Sequence, residues 1–124
     1  MVTSAQGRQE TEQRRLLSAA IEASDQIVMI TGADHRIVYV NSAFARITGY
    51  ELAEAIGRNP RFLQGAGTSQ ATRVGLREAI AKGQPAQAEI LNYRKSGEPY
   101  WVDVSIVPVI FVQTPWFRVL NRPG

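Results

Sequence analysis

The chain has 124 residues, 44% hydrophobic and 20% charged. That is the size of one domain with one core, and its composition excludes a disordered chain. Its net charge of +3 is spread along the sequence with no basic run interleaved with aromatics, which argues against nucleic-acid binding. With no cysteine and a single histidine, His35, the chain excludes disulfides, thiolate catalysis and zinc–thiolate sites, and histidine-based metal clusters and Ser-His triads lack support.

Residues 1–7 are small and polar and are expected to fray. The N-terminus carries no secretory apolar run and no stretch approaches ~20 apolar residues, so a cytoplasmic protein without a membrane partner is the default expectation. From Arg8 to Ala23, Leu16, Leu17, Ala20 and Ile21 recur at helical spacing against Glu10, Glu12, Gln13 and Arg14. Such a short apolar stripe must dock, on the protein's own sheet or on a second copy.

Ile27-Val28-Met29-Ile30 and Ile37-Val38-Tyr39-Val40 flank a Gly/Asp-punctuated connection and predict a β-hairpin. His35 lies in its turn, where a solvated histidine is expected rather than a ligand. Asn41-Ser42 opens a helix whose buried face is Ala43, Phe44 and Ile47, with Gly49 as its stop. A further short helix runs from Glu51 to Ile56.

The stretch Gly57-Arg58-Asn59-Pro60-Arg61-Phe62-Leu63-Gln64-Gly65 is too polar for a core helix and too dense in directed side chains for an idle loop. Asn is a favoured N-cap and Pro fits the first helical position, so a single turn over Pro60–Leu63 is predicted. Thr68 or Ser69 then caps a helix that runs to Lys82 and stops at Gly83, with Val74, Ala79 and Ile80 on its core side. Arg77 sits beside that face, placed either to snorkel outward or to meet an anion in a cleft.

Gln87–Arg94 and Tyr100–Val109 read as two long strands. If Ala88, Ile90, Val102, Val104 and Ile106 face inward, Asn92 is a lone amide in an apolar wall. A buried amide without a partner costs ~1–3 kcal/mol, so Asn92 bonds neighbouring backbone or reads a ligand. Opposite it, Leu91, Tyr93 and Trp101 form an outer face too apolar to leave wet; the N-terminal helix or a partner chain should cover it. Pro115 interrupts the apolar run after Ile110, and Trp116–Leu120 reads either as a last strand or as an adhesive segment. The element order predicts an α+β arrangement with helices gathered over one face of an antiparallel sheet. Its expected parts are a tail and flanking helix over 1–24, a core over 25–110 and an atypical C-terminal segment over 111–124.

Asn41-Ser42-Ala43-Phe44, Thr48-Gly49-Tyr50, the stretch 57–65 and Leu91-Asn92-Tyr93-Arg94-Lys95-Ser96-Gly97, in this order and at these spacings, resemble a PAS domain over about Asp25 to Val109, specifically its light-oxygen-voltage (LOV) subgroup. The resemblance implies a five-stranded antiparallel sheet with helices enclosing a pocket. In flavin-binding members, residues matching Asn59, Arg61, Gln64, Arg77 and Asn92 line that pocket. Two guanidiniums suit a phosphate and amides suit the edge of an isoalloxazine ring. FMN is the cofactor implied first, FAD second, with a cofactor-free pocket as the remaining case.

Three departures qualify the resemblance. Pro60 stands where photoactive members carry the cysteine that bonds flavin, Val102 where they carry a second ring-reading asparagine, and the last strand offers only Gln113, a poor match on context. The expected function is a sensory module that binds flavin or another small ligand without cysteinyl photochemistry. It would signal through its sheet face and as a homodimer, through the N-terminal helix, Leu91, Tyr93 and Trp101, to a fused or separate effector. The rival is a ligand-free interaction domain. An enzyme is disfavoured, because Asp25, Asp34, Glu89 and Asp103 are dispersed without a His or Cys partner.

Overall fold

Two hairpins of β-branched alternation supply four of the five strands. The computed structural model describes residues 4–107 and 110–116. β1 (Ile27–Thr31) pairs antiparallel with β2 (Ile37–Val40), and β3 (Ala86–Tyr93) pairs along its whole length with β4 (Pro99–Val107). β5 (Ile110–Trp116) inserts between the hairpins, giving one antiparallel sheet in the order β2-β1-β5-β4-β3. The expected strand end at Pro108-Val109 and the tail beyond Trp116 lie outside the described residues.

β5 reverses the expectation that Pro115 breaks the last run. β1 pairs with β5 only as far as Ile27↔Gln113, whereas β4 continues through Val102↔Pro115 to Trp101↔Trp116. Pro115 therefore lies where β5 has a neighbour on one side only, and a missing N–H is tolerated there as on an edge strand.

The remaining helices are α1 (Ser4–Ala23), α2 (Ser42–Thr48), α3 (Leu52–Ala55), a 3₁₀ turn (Pro60–Leu63) and α4 (Gln70–Ala81). α2 ends as its sequence predicts: Gly49 takes φ 81° and donates its N–H to the Ala45 carbonyl at 3.0 Å, a conformation glycine adopts without penalty. The core fills with Ile27, Met29, Ile37, Phe44, Leu63, Ile90, Val102, Val104 and Ile106, all buried. α4 is capped by Ser69, whose side chain accepts from the Thr72 N–H at 3.4 Å. It turns Leu76 inward, where Val74 was expected, and Val74 is exposed. Leu76 lies one turn from Ile80, which packs against the core, so the pair defines the helix face.

α1 does not lie across the sheet. It meets α2 and is fastened at its C-terminal end by three side chains. Asn41 Oδ1 accepts from the Val28 N–H at 3.0 Å while its Nδ2 donates to the Ile21 and Gln26 carbonyls at 2.8 Å each. Ser42 Oγ donates to the Glu22 carbonyl at 2.9 Å, and the Tyr39 hydroxyl donates to the Glu22 carboxylate. Asn41 thus ties α1 to the sheet and does not use its side chain to cap α2. Leu16 and Leu17 remain more than 60% exposed.

Part of the outer apolar face is covered instead by the chain's own loop after the 3₁₀ turn. Thr68 Oγ1 donates to the Leu91 carbonyl at 2.6 Å and accepts from the Gly65 N–H at 3.0 Å. The Gly67 N–H donates to the Tyr93 hydroxyl at 2.7 Å. An added Cβ would sit 2.4 Å from the Tyr93 ring at Gly65 and 2.7 Å from its hydroxyl at Gly67, so this loop can pass only as glycine. Thr68 is therefore a buried tie to β3, and Ser69 alone caps α4.

Candidate functional site

The segment 57–65 folds as its chemistry dictates. Asn59 Oδ1 accepts from the Arg61 N–H at 3.0 Å and Pro60 occupies the first helical position, so Asn59 has the local capping role. The Arg58 guanidinium lies 4.4 Å from the Phe62 ring centroid, and Tyr50 meets Phe62 edge to face at 5.0 Å. These contacts pack the turn against the segment that follows α2, and Pro60, Arg61 and Gln64 line a cavity.

That cavity, about 490 Å³, lies between α4, the 3₁₀ turn and the inner faces of β3, β4 and β5. Its volume falls within the usual range for small-molecule sites. Asn59, Arg61, Gln64, Arg77 and Asn92, the five residues singled out in the sequence, all line it. A backbone bridge pairs Gln64 with Asn92 and sets two amides side by side. Leu76, Ile80, Ile90, Val104 and Ile106 supply the apolar wall.

Four further polar residues line the same cavity: His35, Gln70, Arg73 and Gln113. Gln113 corrects its poor standing in sequence context. Because β5 is the central strand, Gln113 sits opposite both Ile27 and Val104 and is 4% exposed. Its neighbours in space come from β1 and β4, which local sequence does not reveal. His35 occupies the left-handed region at φ 63°, and the turn it sits in brings it to the cavity wall although it is exposed. Arg73 was detectable, since it lies one helical turn before Arg77 and shares its face. Val102, by contrast, is fully buried in the core and lines no part of the cavity.

The electrostatics favour an anion with a hydrogen-bonding body. Three guanidiniums, Arg61, Arg73 and Arg77, line the cavity, and no carboxylate among the described residues does. Asn92 Oδ1, Gln113 Oε1 and Arg73 Nε are buried without a hydrogen-bond partner. Each is costly to leave so, by ~1–3 kcal/mol. Behind Asn92, Tyr100 is 3% exposed and its hydroxyl is also unpartnered. Burial pushes this phenol up to about 12, against the opposing pull of the Arg94 guanidinium 4.7 Å from its ring. Asn92 also offsets part of the rise, although neither it nor the hydroxyl reaches a bond of good geometry. A flavin fits this donor set: the orphaned amides suit its polar ring edge and the guanidiniums a phosphate tail. Among the described residues no His/Asp/Glu cluster could hold a metal, and no helix is long and apolar enough to cross a membrane.

The sequence profile of the PAS domain family matches residues 25–114. The chain is 45% identical over 94 residues to the blue-light-activated histidine kinase of Brucella ovis, covering 73% of this chain and 19% of that protein. It is 39% identical over 106 residues to the blue-light-activated histidine kinase of Brucella anthropi, covering 83% and 22%. It thus spans about a fifth of the length of these curated relatives. Among solved structures it is similar to the LOV domain from the Erythrobacter litoralis EL346 blue-light activated histidine kinase, with a TM-score of 0.70, 28% identity and coverage of 75% of this chain and 96% of that one. It is also similar to an RNA-binding light-oxygen-voltage receptor, with a TM-score of 0.77, 28% identity and coverage of 87% and 34%.

Proposed function

As a member of the PAS domain family, LOV-type by its homology to the LOV domains of blue-light-activated histidine kinases, the chain is a sensory signalling module, and we propose that it works by holding a flavin, FMN first and FAD second, in the cavity between α4 and the sheet. The observation that carries this is the pair of buried, unpartnered acceptors Asn92 Oδ1 and Gln113 Oε1 on one cavity wall. A domain with no ligand to read would gain by replacing them with apolar groups.

Asn92, Gln64 and Gln113 orient the ring by its polar edge, and Arg61 and Arg77 hold the phosphate. Leu76, Ile80, Ile90, Val104 and Ile106 exclude water from the ring faces. Bound flavin supplies a blue-absorbing, redox-active ring. Pro60 lines the wall where a thiol would be needed, and the chain has no cysteine, so illumination forms no cysteinyl bond. Signal leaves through the sheet: Gln113 sits on the central strand, in register with Ile27 of β1 and Val104 of β4. β1 is tied through Asn41 to the end of α1. A fused or separate effector receives it. The absorption spectrum of the purified protein, dark and under blue light, is the test. A flavin band that illumination does not convert to a cysteinyl product is expected; a colourless protein that takes up no added flavin refutes the assignment.

A second reading, association as the function, is favoured by Leu16 and Leu17, exposed side by side on α1. On this reading the domain forms a homodimer through α1 and the outer face at Leu91, Tyr93 and Trp101. Trp101→Glu and Leu16→Glu should each delay elution on gel filtration. Unchanged elution of both removes these surfaces from any interface.

A further inference from the structure

We propose that His35 is a ligand-contacting residue of the cavity, its imidazole covering the outer end of the bound molecule and slowing its release; this rests on the flavin reading above. The backbone is strained to put it there. His35 has φ 63°, in the left-handed region that glycine enters freely and other residues only at a cost. Two bonds fix that conformation: the Gly32 N–H donates to the Arg36 carbonyl at 2.8 Å, and the His35 N–H to the Gly32 carbonyl at 3.0 Å. At the root of the turn the β1–β2 register shifts between Ile30 and Thr31, an irregularity of the kind that re-aims side chains near a site.

Nothing in the fold accounts for the imidazole. It is exposed, stands outside the core, and is in no ion pair among the described residues. A strained residue that the fold does not need points to a ligand. The cavity supplies one. Arg36 Nη1 donates to the Gly57 carbonyl at 2.8 Å, and the Gly57 N–H and Arg58 carbonyl pair with the two backbone groups of Ile37, also at 2.8 Å. The turn is thus fastened to the segment that leads into Asn59. Asp34 and Arg36, on either side of His35, line a surface groove with Asn59 and Arg61, and those two also line the cavity. His35, exposed and yet part of the cavity lining, therefore stands at the rim where groove and cavity meet. A molecule packed against the apolar wall of Leu76, Ile80, Ile90, Val104 and Ile106 presents its outer end at that rim, and a planar imidazole covers it.

The test combines melts of the ligand-free chain with FMN binding and release followed by flavin fluorescence. His35→Gly relaxes the backbone and removes the cover. Its ligand-free midpoint should rise by about 2–6 °C, while FMN affinity falls about threefold to thirtyfold, mostly through faster release. His35→Asn, which tolerates the left-handed conformation but is too short to cover the rim, should hold the wild-type midpoint within about 2 °C and lose FMN as His35→Gly does. A midpoint that falls in His35→Gly shows that the histidine serves the turn, and overturns the assignment. So does FMN release unchanged in both variants, or wild-type release in His35→Asn alone, and each of these leaves the flavin cavity standing. A wild type that takes up no FMN overturns the flavin reading and the assignment together.

Discussion

Replacing Asn92 by leucine should make the ligand-free domain more stable and ligand binding weaker. Asn92 is 3% exposed, next to Ile90 on its strand face and opposite Tyr100 on β4. Its Oδ1 has no partner, a state that costs ~1–3 kcal/mol. Leucine has a similar volume, leaves the backbone pairing to Gln64 and Tyr100 intact, and replaces polar by apolar surface in a wall already made of Ile90, Val104 and Ile106. Taking about 1–2 kcal/mol of relief and about 3–6 °C per kcal/mol for a chain of this size, the thermal midpoint should rise by roughly 3–12 °C. Circular dichroism melts of ligand-free protein read this directly, and flavin affinity in the same variant should fall at least tenfold. A midpoint that drops by several degrees would mean that the amide serves the free fold, and the reasoning that reserves it for a ligand would be wrong.

Replacing Gly65 by alanine drives a Cβ into the Tyr93 ring and should cost about 1–3 kcal/mol in urea unfolding; in a Tyr93→Ala background that cost should largely vanish, and a persistent full cost would contradict the clash. Asn41→Ala leaves the buried Val28 N–H without its acceptor and frees the Ile21 carbonyl, so ~1–3 kcal/mol of stability and the hydrogen-exchange protection at the end of α1 should be lost together. Retained protection there would show that α1 is held by something else. The phenols of Tyr39 and Tyr100 are both pushed up to about 12, chiefly by burial. Folded-state values above the unfolded 10 mean that their contribution is intact below pH 10 and fades as pH rises from about 10 through about 12. Tyrosinate absorbance should show Tyr39 and Tyr100 ionising above pH 10, toward about 12, and ionisation of either near 10 would contradict the surroundings described for it.

What the sequence disclosed and what it withheld follow from the range of each interaction. The Pro60–Leu63 turn, its Asn59 cap, the Gly49 stop and the β3–β4 alternation that buries Asn92 are local, set by residues within a few positions of one another, and could be read directly. Five of the nine polar residues lining the cavity were legible because their spacings resemble those of a known family. Gln113 was not, since its place depends on β5 inserting between β1 and β4, a pairing of segments far apart in the chain. Asn41 read as a helix start because its bonds to Val28 and Ile21 are long-range, and Thr68 read as a cap because its partner is the Leu91 carbonyl. The cover over Tyr93 was expected from α1 or a partner chain, when a loop with two glycines too small to be noticed for their side chains performs it.

The central claim, that amides on the 3₁₀ turn, β3 and β5 converge on one small ligand, is tested most directly by following side-chain amide resonances of Gln64, Asn92 and Gln113 during addition of FMN. All three should shift together and saturate at one equivalent. Resonances that stay fixed while signals from exposed surface residues drift, or no movement at all, would contradict it.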